Sequence, residues 1–242
     1  MKLINLPNII TCCNLLCGCL AVFFGLHGHM DAACLCIVLG AVFDFFDGMT
    51  ARALGISGPI GKELDSLADM ISFGFAPSVL AYQIFMHIDE DLAPYSWAAF
   101  LLAAIMAAFS ALRLAKFNCD ERQHLSFIGL PTPANALFWI GFTYVVRIDT
   151  VLEFIQTHAY GCGFTFGLLL FAMSYMLICE LPMFSLKIKP GHMSWAENKV
   201  RYSFLILTVA ILAAFACLGQ LAASLSVIIL LYILFSCVAA KK

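Results

Sequence analysis

Charge is scarce in this chain. Lys and Arg number 13 and Asp and Glu 15 among 242 residues, so 12% of the side chains are charged and 63% are hydrophobic. Ordinary soluble domains carry about 25% charged and about 45–50% apolar residues, and a mean hydropathy of +0.96 excludes that class. Cys-x-x-Cys pairs are also missing although 11 cysteines are present, which removes the usual zinc and thioredoxin-like spacings. Most of the cysteines, Cys12, Cys13, Cys17, Cys19, Cys34, Cys36, Cys179, Cys217 and Cys237 among them, fall in apolar stretches, where a free thiol packs as a small hydrophobe. Internal repeats, low-complexity tracts and charge runs are absent too, so residues 1–242 are expected to form a single transmembrane domain. The start, M-K-L-I-N-L-P, lacks the cleavage-site architecture of a signal peptide, and the first span is expected to be retained.

What is present is long apolar sequence. Segments of about 20 apolar residues cross a hydrocarbon core of roughly 30 Å. Eight can be read, at about 9–28, 32–52, 63–86, 95–115, 131–149, 161–180, 201–218 and 221–239, giving an all-α integral membrane bundle. In an eight-span chain, Lys2, Arg52, Lys62, Arg113, Lys116, Arg122, Lys187, Lys189, Lys199, Arg201, Lys241 and Lys242 all fall on one side, and Arg147 alone on the other. Basic residues collect on the cytoplasmic side of short loops, so both termini are expected there, in a multi-pass inner-membrane protein. The partners expected are membrane lipids and no nucleic acid.

Against this background four carboxylates stand out. Asp44 and Asp47 are three apart near the end of the second span, and Asp65 and Asp69 four apart near the start of the third. Each spacing puts its pair on one helix face. The loop between the spans, with Gly55, Gly58, Pro59 and Gly61, is short and turn-forming, so antiparallel helices bring the four acids together. An intramembrane carboxylate is costly and by default marks a functional site. Hard oxygen donors suit Mg²⁺, Mn²⁺ or Ca²⁺ and not zinc, and two such ions about 4 Å apart clamp an in-line displacement at phosphorus. Gly48 and Ala51 leave helix surface on which a ligand can lie, Gly61 opens backbone access, and Arg52 supplies a fork for phosphate or carboxylate. Asn8, Thr11 and Asn14 form a polar stripe on the first span, read either as interhelical glue or as ligand contact.

The string Asp44-x2-Asp47-Gly48-x2-Ala51-Arg52-x8-Gly61-x3-Asp65-x3-Asp69 resembles the complete signature of the CDP-alcohol phosphatidyltransferase family. That resemblance implies the family's helical bundle, two Mg²⁺ or Mn²⁺ ions held by Asp44, Asp47, Asp65 and Asp69, and a CDP-lipid attacked directly by an alcohol with loss of CMP. It further implies Asp69 as general base, nucleotide contacts from Gly48, Ala51, Arg52 and Gly61, joined by Asn8 and Thr11 if the stripe touches ligand, and a homodimer. A carboxylate that accepts the hydroxyl proton fits the weak nucleophilicity of an alcohol.

Outside the signature, Leu6-Pro-Asn8-x2-Thr11-x2-Asn14, Ser72-Phe-Gly-Phe-Ala-Pro77, Ala111-Leu-Arg113-Leu-Ala-Lys116-Phe-Asn118 and Gly129-Leu-Pro-Thr-Pro-Ala134 resemble the phosphatidylserine synthase branch, with weaker similarity at Pro182-Met-Phe-Ser185. Lys116 stands where that branch leads one to expect Arg, and Cys179-Glu180 also departs from it. The resemblance implies CDP-diacylglycerol and L-serine as substrates. Charge and placement at the cytoplasmic end of the fourth span suggest Arg113 or Lys116 as a cation for serine carboxylate or lipid phosphate; both also read as positive-inside anchors. The alternatives are another acceptor, namely glycerol 3-phosphate, inositol phosphate or choline, and, from a different class, a cation-coupled transporter. Transport sites favour the membrane midplane and repeated halves, neither of which is seen here. A covalent-histidine mechanism is set aside, because none of His27, His29, His87, His124, His158 and His192 begins a His-x-Lys-x4-Asp pattern.

Overall fold

A computed structural model describes residues 4–56, 58–88, 94–120, 128–183 and 195–240. Lys2, Asp89 to Asp91, Arg122, His124, Ser185, Lys187, Lys189, His192, Lys241 and Lys242, several of which enter the orientation argument, lie outside the described residues, as does the side chain of Lys199. The helices are α1 (Leu6–Leu26), α2 (Met30–Leu54), α3 (Pro59–Asp69), α4 (Ala76–Ile88), α5 (Ser96–Cys119), α6 (Thr132–Val146), α7 (Asp149–Thr157), α8 (Ala159–Ile178), α9 (Trp195–Cys217) and α10 (Ser224–Ala240). Among the described residues there is no strand, only a single antiparallel bridge between Ile128 and Pro182.

The first helix shows the logic of the bundle. Asn5 caps it, its side chain accepting the Asn8 N–H at 2.9 Å, and Pro7 occupies the first turn, where a missing N–H costs nothing. Its buried face is small or polar, with Asn8, Thr11, Asn14, Gly18, Ala21 and Gly25, while Leu16 and Phe23 point outward. That is the reverse of a soluble amphipathic helix. In lipid, leucine gains nothing by turning inward, and small residues let backbones approach. At Gly18 the approach is so close that a Cβ would sit 2.9 Å from the backbone of Ser72.

The third crossing is continuous from Pro59 to Ile88, but it is not regular. A π-helical turn, Met70–Phe75, joins α3 to α4 directly after Asp69. Pro77 has no N–H to give to a regular ladder, and a widened turn ahead of it accommodates the ring.

Among the described residues seven helices are by length and composition long and apolar enough to cross a bilayer, beside the eight spans expected. The one that falls short is α6, whose 15 residues rise only about 22 Å. Even so, it runs from one end of the bundle to the other. The Gly129 and Leu130 amides ahead of it donate to Leu181 O at 2.9 Å and Met176 O at 2.8 Å, at the end of α8, and Arg147 at its far end pairs with Asp31 at the start of α2 at 2.7 Å. Its sides are enclosed by protein: Trp139 and Phe138 are fully buried, and Trp139 meets Phe166 of α8 edge to face at 5.7 Å. A helix wrapped by neighbours need not match the lipid thickness. The expected span at 131–149 overran into a bend at Ile148 (φ −69, ψ 126), beyond which the separate amphipathic helix α7 begins.

Candidate active site

The carboxylates sit where α2 ends and α3 begins. Gly55 terminates α2 in the left-handed conformation (φ 64) open to glycine, and the Ile56 N–H closes the turn on Ala51 O at 3.0 Å. Pro59 then starts α3. The two helices are sequence neighbours, yet it is α1 that packs along both of them, and the space left between α2 and α3 is a cavity of about 250 Å³. Counting residues back from the helix ends, Asp47 and Asp65 lie roughly 10 Å inside.

Asp44, Asp47 and Asp65 each offer a carboxylate oxygen, and these oxygens lie within 4.8 Å of one another. Oxygen ligands about 2.1–2.5 Å from one centre are separated by at most roughly 4–5 Å, so the three fit a shared divalent cation. Among the described residues, Asp47 Oδ2 and Asp65 Oδ1 are buried without a hydrogen-bond partner. A buried anionic oxygen with no donor is expensive; an oxygen-seeking cation is the group that removes the cost. Asp69, one turn deeper on α3, lies outside the three-oxygen grouping but within electrostatic reach of all three.

The cavity wall collects nearly every residue singled out around the acids. Asn8 and Thr11 from α1, Asp47, Gly48 and Ala51 from α2, and Gly61 and Asp65 from α3 all line it. Arg52 is exposed and folds back along α2, its guanidinium Nη1 3.4 Å from where a Gly48 Cβ would stand. Lys62 and Ile56 also line the cavity and were not assigned to a site from sequence. Lys62 counted only as an orienting charge, although its position next to Gly61 was a usable signal. Its Nζ donates to Asn118 O at 3.0 Å, and Asn118 Nδ2 donates to Ser66 Oγ at 2.9 Å, so the end of α5 is fastened to α3 beside the cavity.

The polar stripe divides. Asn8 and Thr11 face the cavity, whereas Asn14 is fully buried one turn deeper and donates from Nδ2 to Asp69 Oδ1 at 3.2 Å. The two cations on α5 also part company. Arg113 is only 6% exposed, has an Nε without a partner among the described residues, lies 5.8 Å from the Phe117 ring, and is within electrostatic reach of Asp69 and of Tyr232 on α10. Lys116 instead pairs with Glu180 at 3.3 Å, joining the ends of α5 and α8.

The chain is similar to the CDP-diacylglycerol–serine O-phosphatidyltransferase of Bacillus subtilis (strain 168), 38% identical over 141 residues that cover 57% of this chain and 76% of that one. It is similar to the protein of the same name from Methanocaldococcus jannaschii, 35% identical over 157 residues, 64% of this chain and 69% of the relative. With the Helicobacter pylori (strain ATCC 700392 / 26695) protein of that name the identity is 32% over 152 residues, 62% of this chain and 60% of the relative. The family model described as CDP-alcohol phosphatidyltransferase matches residues 4–178. That match runs from ahead of α1 to the last residue of α8 and takes in all three helices that line the cavity; the chain belongs to the CDP-alcohol phosphatidyltransferase family.

Proposed function

We propose that this chain transfers the phosphatidyl group of CDP-diacylglycerol to the hydroxyl of L-serine, releasing CMP and forming phosphatidylserine. The observation that carries the reading is the convergence of three carboxylate oxygens within 4.8 Å, two of the acids carrying a buried orphaned oxygen, beside a cavity. The names of the relatives favour serine over other alcohols. The family is divalent-metal dependent, and Asp44, Asp47 and Asp65, with Asp69, are the residues that would hold two Mg²⁺ or Mn²⁺ ions. Such ions, when bound, neutralise charge on a pyrophosphate and on the departing nucleotide.

The protein's own groups do the rest. Asn8, Thr11, Gly48, Ala51 and Gly61 form the wall on which the nucleotide lies, and Arg52 reaches phosphate from the rim. Arg113, buried and planar, takes the serine carboxylate. Asp69 accepts the proton as the serine oxygen bonds to the phosphatidyl phosphorus and the bond from that phosphorus to the CMP oxygen breaks. Lys116, already paired with Glu180, acts as a clamp between α5 and α8. Residues 1–242 work as one domain, in a homodimer, in the cytoplasmic membrane, with both termini and the cavity on the cytoplasmic side, where basic residues concentrate.

The test is CMP release by the purified protein in detergent. L-Serine, glycerol 3-phosphate, inositol phosphate and choline are compared as acceptors with Mg²⁺ and with Mn²⁺. Serine-dependent release is expected without any sealed compartment. Preference for a phosphorylated acceptor would overturn the serine assignment, and no release with any acceptor would overturn the enzyme.

A further inference from the structure

Asn14 is buried more completely than its bonds require. It is 0% exposed, and its Oδ1 has no partner among the described residues. Room for that oxygen comes from α2, where a Cβ on Gly40 would come within 2.9 Å of it. The Asn14 backbone is held as well, its carbonyl accepting Ser72 Oγ at 3.0 Å from the π-helical turn. Among the described residues its side chain bonds across the bundle from Nδ2 to Asp69 Oδ1 at 3.2 Å, between positions 55 residues apart. An amide kept in an apolar helix with an unsatisfied oxygen calls for an explanation beyond packing, since alanine would fill an α1–α2 contact without stranding an acceptor.

We infer that Asn14 is a positioning residue for the transfer reaction, holding one oxygen of Asp69 and thereby fixing the plane of the carboxylate that faces the acceptor hydroxyl. The inference rests on the reading of Asp69 as general base. A carboxylate at the head of a widened turn has rotational freedom about its side-chain bonds, and a donor fixed from both sides removes it. Gly40 and Ser72 complete the device by setting where the amide sits. Asn8 and Thr11 touch ligand, and Asn14 acts only through Asp69.

The test is a double-mutant cycle. Asn14→Ala is expected to lower kcat roughly 100-fold, the order expected for about 1 Å of misplacement, with KM for serine and for CDP-diacylglycerol within about threefold. Mn²⁺ affinity, read by electron paramagnetic resonance without substrates, is expected to stay within about threefold as well. Gly40→Ala, which leaves Asn14 in place and pushes on its oxygen, is expected to lower kcat in the same direction, and it carries the test if Asn14→Ala does not fold. In an Asp69→Asn background, either substitution is expected to cost less than about twofold further, because residues acting through one group are not additive. Full multiplicative losses in that background, with Asp69→Asn itself impaired, would overturn the role of Asn14 and leave the base assignment standing. Normal turnover by Asp69→Asn would instead remove the base assignment on which the inference rests.

Discussion

The bundle has at each end a cavity with polar side chains in its wall, and the two are nearly the same size. The one beside the carboxylates holds about 250 Å³, and the one at the opposite end, lined by Gln83, His87, Thr143 and Arg147 among others, about 210 Å³. They differ in how charge is settled. At the far end Arg147 meets Asp31 at 2.7 Å and lies 5.9 Å from the Tyr144 ring, and Gln83 donates to Leu26 O at 3.4 Å. At the near end Asp47 and Asp65 each keep a buried oxygen with no donor among the described residues, next to a third carboxylate. Volume therefore does not distinguish an active site here; uncompensated charge does.

Substitutions can break or sharpen that contrast. Asp65→Asn, which removes charge from the near end, is expected to reduce CMP release about 1,000-fold or more, the scale seen when a group stabilising transition-state charge is lost. Retention of a tenth of the activity would break the contrast. Arg113→Ala comes next, with KM for serine rising roughly 10- to 100-fold and KM for CDP-diacylglycerol nearly unchanged, as expected for the loss of a charge-assisted hydrogen bond of about 1.5–3 kcal/mol. Gly48→Ala places a methyl group in the cavity wall against only the mobile tip of Arg52. KM for the CDP-lipid should rise up to about tenfold with thermal stability unchanged, on the scale of about 1.4 kcal/mol per decade. At the far end, Arg147→Gln breaks a half-exposed ion pair worth about 0–1 kcal/mol. Activity within about twofold of the parent, measured side by side with Asp65→Asn, would leave the two ends as different as the charges suggest.

The acids were legible because nothing else in an apolar chain explains them, and helical spacing alone put each pair on one face. Other parts were not. The polar stripe looks the same in sequence whether it touches a ligand or another helix. Only folding separates Asn8 and Thr11 at the cavity from Asn14 on Asp69, because the partner lies 55 residues away. Lys116 and Arg113 differ by three positions, and charge alone could not say that one would turn to Glu180 and the other inward toward Asp69 and Tyr232. Hydropathy also cannot locate the end of a helix that protein, not lipid, surrounds. That is why the stretch at 131–149 was read through the bend at Ile148. Pro77 inside an apolar run marks an irregular helix, but that the widened turn begins immediately after Asp69 is not derivable from the ring alone.

That widened turn has a geometric result of its own. One extra residue per hydrogen-bonded loop shifts the angular phase of everything downstream by about 100° relative to an unbroken α-helix. The face of the rod that carries Asp65 and Asp69 is thereby uncoupled from the face that α4 shows to its neighbours. The half bearing the acids can be aimed and the half bearing the packing can be fitted, each without dictating the other's azimuth. Deleting a single residue between 70 and 75 would lock the two azimuths together again, and the rod would have to choose between its catalytic aim and its fit.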